Sequence, residues 1–139
     1  MEIILAENHG FCYGVKRAVE MANEAADSDG KSYTLGPIIH NPQVVGRLES
    51  KGVSPIQEVS DIDEGTMIIR SHGVGPAIYE EAEEKGLNIL DATCPHVKKA
   101  QQDAKSVIED GMTLVILGEK NHPEVKSINL WANNKGIII

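Results

Sequence analysis

Two cysteines, Cys12 in "GFCYGVKRA" and Cys94 in "ATCPHVKKA", stand in nearly the same setting. Each is followed three places on by a valine, then by two basic residues and an alanine. The first residues set charge beside "IIL" and do not read as a signal peptide. Without one, such a pair is more often thiols or ligands than a structural staple, and a disulfide is the alternative. Each cysteine follows a strand-like run and opens a helix-like one. Its sulfur is therefore expected at the carboxyl edge of a sheet, beside a helix amino terminus, where open α/β sheets bind ligands and the helix dipole favours a thiolate. Two thiolates are too few for most closed metal sites; iron-sulfur clusters take four ligands, or three when one iron is left open. Two unrelated buried cysteines acting as small hydrophobes is the plainer reading, and the matched flanks speak against it.

Three histidines share a second setting. His40 in "IIHNP", His72 in "RSHGVGP" and His122 in "KNHPE" each follow a strand-like run and precede turn residues, so all three should gather at the edge that carries the cysteines. Imidazoles there, with backbone N–H groups of the "HGVG" loop, would make an anion pocket suited to phosphate or diphosphate. A single histidine is more often just satisfied or exposed; three in equivalent settings point to a common role. His9 and His96 adjoin the cysteines without that context. Glu124, two places after His122, is at face value an acid that favours the helix dipole. Close to a cluster and a phosphate pocket it could instead hold a proton for transfer. Its counterpart in the first copy is Gln43, which cannot. Thr93, before Cys94, reads as an N-cap or as a donor to a ligand.

The elements that must position these residues alternate strand and helix. "EIILA" precedes "YGVKRAVEMANEAAD", "SYTLG" precedes "PQVVGRLESKG", and "GTMIIRS" precedes "PAIYEEAEEKG". "LNILDA" then precedes "HVKKAQQDAKSVIEDG", and "MTLVILG" precedes "PEVKSINLWANNKG". This pattern predicts an α/β fold, a parallel sheet flanked by helices. The alternation also repeats: Cys12 and Cys94, Gly36 and Gly118, and His40 and His122 are each 82 residues apart. One offset across strand, loop and helix reads as duplication into tandem pseudo-symmetric units. Residues 1–86 form the first unit, with one cysteine and two histidines. Residues 87–139 form a partial second unit with the other cysteine, the third histidine and the acid. "NNKGIII" corresponds to "ESKGVSPI" inside the first unit, so the chain is expected to be a fragment truncated within its second unit, with an apolar strand "GIII" at its end.

Composition excludes other classes. With 41% hydrophobic residues, 139 residues suffice for one ordinary core. A net charge of −8 without a basic stripe argues against nucleic acid as a partner. No apolar run approaches the roughly 20 residues of a membrane span, and the cytoplasm is the expected compartment.

Taken together, "GFCYGVKRA", "GPIIHNP", "RSHGV", "DATCP" and "NHPEV", spread in order from residue 10 to 125, resemble the amino-terminal portion of the 4-hydroxy-3-methylbut-2-enyl diphosphate reductases, the LytB/IspH family. The resemblance implies a trefoil of three α/β domains around a 4Fe-4S cluster held by three cysteines, of which Cys12 and Cys94 look like two; the third is absent from this chain. It implies that His40, His72 and His122 bind the substrate's diphosphate, that Glu124 is the catalytic proton donor, and that ferredoxin or flavodoxin supplies electrons. The reaction implied is reductive dehydroxylation to isopentenyl and dimethylallyl diphosphates, in the non-mevalonate pathway of isoprenoid biosynthesis. The isolated chain would be inactive or nearly so. Two other readings use the same residues: a stand-alone module binding phosphate esters without redox chemistry, and a zinc or thiol protein built on Cys12, Cys94 and a histidine. Neither explains the common offset and the ordered motifs together.

Overall fold

The run "TMII" forms strand β3 (Thr66–Ile69), and its Met67, Ile68 and Ile69 are all fully buried. Successive side chains of a strand point to opposite faces, so a run buried throughout must be covered on both. The computed structural model, which describes residues 1–139 apart from Asn8 and Asp29, shows how. Strands β2 (Val53–Ile56), β1 (Ser32–Leu35), β3 and β4 (Asn88–Asp91) form one parallel sheet in that order. On one face Ile68 packs with Ala18, Ala22 and Ala25 of α1 (Tyr13–Ala26) and Leu48 of α2 (Pro42–Ser50). On the other, Met67 and Ile69 pack with Ala82 of α3 (Pro76–Glu84) and with Val59 and Ile62, in and beside a short 3-10 turn, Val59–Asp61.

Helix α4 (Pro95–Glu109) follows β4, and α5 (Pro123–Trp131) packs against it. Beyond them β5 (Val115–Ile116) pairs in parallel with β6 (Ile137–Ile138). Helices α2, α3 and α4 end before Gly52, Gly86 and Gly111, each at positive φ, the left-handed position that a helix terminator needs and glycine adopts without strain. Helix α5 stops sooner than the sequence suggests: Asn133 and Asn134 take that conformation instead of Gly136.

Two expected strands differ. "EIILA" forms none; Ile3, Ile4 and Leu5 are 75%, 83% and 74% exposed. "MTLVILG" is reduced to Val115–Ile116. A strand exists only where a neighbour pairs with it, and the described residues supply none for the first segment and only the two-residue β6 for the second. One strand is unexpected, β2, whose Pro55 argues against a central strand; it lies at the sheet edge, where proline is tolerated. The strand β4, counted by repeat with residues 87–139, pairs with β3 from Thr66↔Asn88 to Ile69↔Asp91. β4 therefore belongs to the sheet of β1, β2 and β3 and not to that of β5 and β6.

Parallel register aligns the carboxyl ends of these strands. Leu35 is level with Ile69, and Ile69 with Asp91, so the segments leaving β1, β3 and β4 emerge side by side. They carry His40, His72 and Cys94.

Candidate functional site

Each cysteine is the N-cap of its helix: Cys12 precedes α1 and Cys94 precedes α4. Both thiols are free, Cys12 exposed and Cys94 partly so. Cys94 is fixed by its surroundings. Its N–H donates to Ser71 O at 2.9 Å, and Arg17 Nη1 of α1 donates to Thr93 O at 3.3 Å. Its sulfur rests on the first turn of α1, directly against Gly14, two residues from Cys12. The Cys94 sulfur thus lies against the helix turn that Cys12 caps.

The histidines also converge. His40 and His72 have ring centroids 4.5 Å apart, His72 and His122 5.7 Å, and His40 and His122 6.0 Å. One ring nitrogen from each lies within 4.8 Å of the others. His40 immediately precedes Asn41, whose side chain caps α2 by accepting the Val44 N–H at 3.1 Å. His122 is itself the cap of α5, its Nδ1 accepting the Glu124 N–H at 3.3 Å. The one-residue difference is the inserted Asn41. His72 is held from α5: buried Ser127 donates to the His72 carbonyl at 2.8 Å and accepts from Gln101 Nε2 at 3.2 Å, while Trp131 Nε1 donates to Val74 O at 2.9 Å. The "HGVG" loop offers fewer free donors than its sequence suggests, because Gly73 N–H closes a turn onto Arg70 O.

The electrostatics favour an anion. Burial pushes the His72 ring down to about 4, helped by the neighbouring His40, Arg70 and His122, so His72 is neutral near pH 7. Burial also lowers Arg70, and among the described residues its guanidinium has no carboxylate partner. In His122 an Nδ1 that accepts a hydrogen bond leaves the neutral ring's proton on Nε2. That nitrogen is then a donor to a ligand oxygen and a poor metal ligand, since metal binding needs a lone pair there. His72 Nδ1 and Thr93 Oγ1 are buried without a partner, capacity that a bound oxygen could satisfy. A cleft of about 220 Å3, lined by Phe11, Val15, Ile39, His40, Asn41, Ser71 and His72, runs from the start of α1 to the histidines.

Glu124 sits in the first turn of α5, beside this group but not in it: the tight cluster among the described residues is three imidazoles alone. His9 and His96 are exposed, and His9 Nδ1 bonds Ala6 O. Sequence reasoning missed Arg70 and Ser127. Neither stands out within the runs "GTMIIRS" and "PEVKSINLWANNKG"; only the packing of α5 on the His72 loop gives Ser127 its place.

The order of these motifs and the fold that carries them both have counterparts. The family model described as LytB protein matches residues 3–139. The 4-hydroxy-3-methylbut-2-enyl diphosphate reductase of Geotalea uraniireducens (strain Rf4) is 53% identical over 139 residues, 100% of this chain and 49% of the relative. That of Caldanaerobacter subterraneus subsp. tengcongensis is 49% identical, over 100% of this chain and 50% of the relative. A solved structure of (E)-4-hydroxy-3-methyl-but-2-enyl diphosphate reductase, described as the terminal enzyme of the non-mevalonate pathway, matches with TM-score 0.85 and 50% identity, over 99% of this chain and 50% of that one. The corresponding Plasmodium falciparum reductase matches with TM-score 0.90 and 32% identity, over 96% and 42%. This chain spans about half the length of the curated relatives it matches. No helix among the described residues is long and apolar enough to cross a membrane. With fold, motif order and relatives in agreement, the chain belongs to the LytB protein family.

Proposed function

We propose that this chain carries the first two cysteines and the histidine pocket of a 4-hydroxy-3-methylbut-2-enyl diphosphate reductase. The convergence of His40, His72 and His122 beside two helix-capping cysteines carries the reading. The donor set fits part of a 4Fe-4S site: both thiols are free, and each stands at the amino terminus of a helix, Cys12 at α1 and Cys94 at α4. Cys12 and Cys94 would hold the cluster together with a third thiolate from outside these residues. The cluster, when bound, supplies electrons that side chains cannot, drawn in turn from ferredoxin or flavodoxin.

The chain's own residues do the rest. His122 Nε2–H, with His40 and the neutral His72, would bind the diphosphate oxygens and orient the carbon chain toward the cysteines. Arg70 adds a positive field behind His72. Glu124 would carry a proton at its carboxyl oxygen. Overall the substrate's C–O bond breaks with uptake of two electrons and two protons and loss of water, giving isopentenyl or dimethylallyl diphosphate. With half the relatives' length and two cysteines, this chain by itself would turn over little or nothing.

A phosphorus NMR titration of the 139-residue chain with inorganic diphosphate tests the pocket. Binding should weaken in His40→Ala and His122→Ala and survive Cys12→Ser. Anaerobic reconstitution with iron and sulfide tests the thiols: iron uptake should fall in both Cys12→Ser and Cys94→Ser. One zinc per chain that blocks diphosphate, in a protein that takes up no iron, would favour the zinc reading instead.

A further inference from the structure

We infer that Gly14 is a positioning residue, the gap in α1 that lets the Cys94 sulfur reach the place where Cys12 stands. Glycine is a poor choice for the second position of a 14-residue helix, since only proline is a worse helix former. Gly14 lies inside α1, so its backbone does not demand glycine. Its neighbour does. A Cβ at Gly14 would overlap Cys94 Sγ outright and stand 2.9 Å from Cys94 Cβ and 3.6 Å from its Cα. Gly46, also within a helix, shows the contrast: a Cβ there meets nothing within 4 Å.

The repeat supplies an internal control. The residue that corresponds to Gly14 at the common offset is His96, which is exposed at the matching turn of α4. The cysteine, the valine, the basic pair and the alanine recur, but the glycine does not. It occurs in the copy onto which a foreign cysteine packs.

Cys94 cannot easily withdraw. Its N–H is bonded to Ser71 O, the preceding carbonyl to Arg17 one turn further along α1, and Ala92 is buried in the cluster that holds Ala18. A methyl at position 14 therefore either turns the sulfur out of its rotamer or pushes α1 away from α4. Both part the two thiols.

This inference rests on the cluster reading, yet one of its consequences does not depend on a metal. The chain, reduced and free of iron, is melted as wild type, Gly14→Ala, Cys94→Gly and the double variant; glycine is well tolerated as an N-cap. Gly14→Ala should lower the melting midpoint in the wild-type background, where it overlaps the sulfur. In the Cys94→Gly background it should raise the midpoint by about 2–5 °C, because helix propensity alone remains. A Gly14→Ala chain that fails to fold but is rescued by Cys94→Gly gives the same answer. The same sign in both backgrounds overturns the inference.

Iron per chain after anaerobic reconstitution is then compared, with Cys12→Ser and Cys94→Ser as controls. Gly14→Ala should bind iron about 10-fold more weakly or worse, although every thiol is present. If both serine variants lose iron and Gly14→Ala retains it, Gly14 does not position the cysteines. If the wild type takes up no more iron than the serine variants, the cluster reading fails for this chain, and the melting cycle still decides the packing.

Discussion

Acidification should reveal His72. Burial beside His40, Arg70 and His122 holds its ring at about 4 against an ordinary 6.5, and in the unfolded chain that environment is gone. Below pH 6.5 the unfolded state takes up a proton that the folded state refuses, so stability falls as pH drops, and the loss levels off only below pH 4, once both states are protonated. The gap amounts to about 3 kcal/mol, and because solvent reaches part of the ring and screens it, about 2 kcal/mol should be lost by pH 4.5. Urea unfolding of the wild type and of His72→Asn at pH 7.0, 5.5 and 4.5 measures it. Asp91, whose carboxyl is held low by Lys98 and Thr93 against the opposing effect of burial, also loses stability on acidification. It is present in both proteins and cancels in the comparison. The variant's stability should fall less steeply, so that the difference between the two proteins changes by about 2 kcal/mol over this range. A difference that stays constant from pH 7.0 to 4.5 would refute the argument, and with it the claim that burial in the pocket keeps this imidazole neutral.

Removing the nearby cation should act on the same ring: Arg70→Gln should raise the His72 pKa, read from its imidazole resonances, and shrink the acid loss. Ser127→Ala should cost about 1–3 kcal/mol in urea unfolding, since it strands the buried His72 carbonyl and Gln101 amide. It should also weaken diphosphate binding, as the loop that carries His72 loses its tie to α5. Asn41→Ala should cost about 1 kcal/mol by loss of the α2 cap, measured by the same unfolding, and should broaden the His40 resonances.

Much of this fold is written locally. The five helices follow from apolar spacing, four of them closed by a glycine or asparagine while α1 ends at Asp27, and β1, β3 and β4 follow from short apolar runs bounded by turns. The convergence of His40 and His72 was legible because parallel strands of one sheet place their following loops at one edge; His122 follows β5 of the other sheet and joins them through the packing of α5 on α4 and the His72 loop. What was not legible depended on partners. "EIILA" has the residues of a strand and no neighbour to make it one. β2 carries a proline that only an edge tolerates, and an edge is a property of the sheet. Nothing near Ser127 in sequence reveals that it meets the carbonyl of residue 72. Nor does "GFCYG" show why its second glycine is there, because the atom that fills its space belongs to residue 94.

The pairing of β4 with β3 has a consequence for how the protein is made. A nascent chain that has emerged only as far as Ile69 presents β3 as a bare edge, not yet paired with β4. The edge is covered when residues 88–91 pair with it, and Ala92 enters the core beside Ala18 in the same event. Cys94 comes two residues later and is set down on α1 as that sheet closes. The Cys94 sulfur is therefore laid against Gly14, two residues from Cys12, only at the step that completes the first sheet.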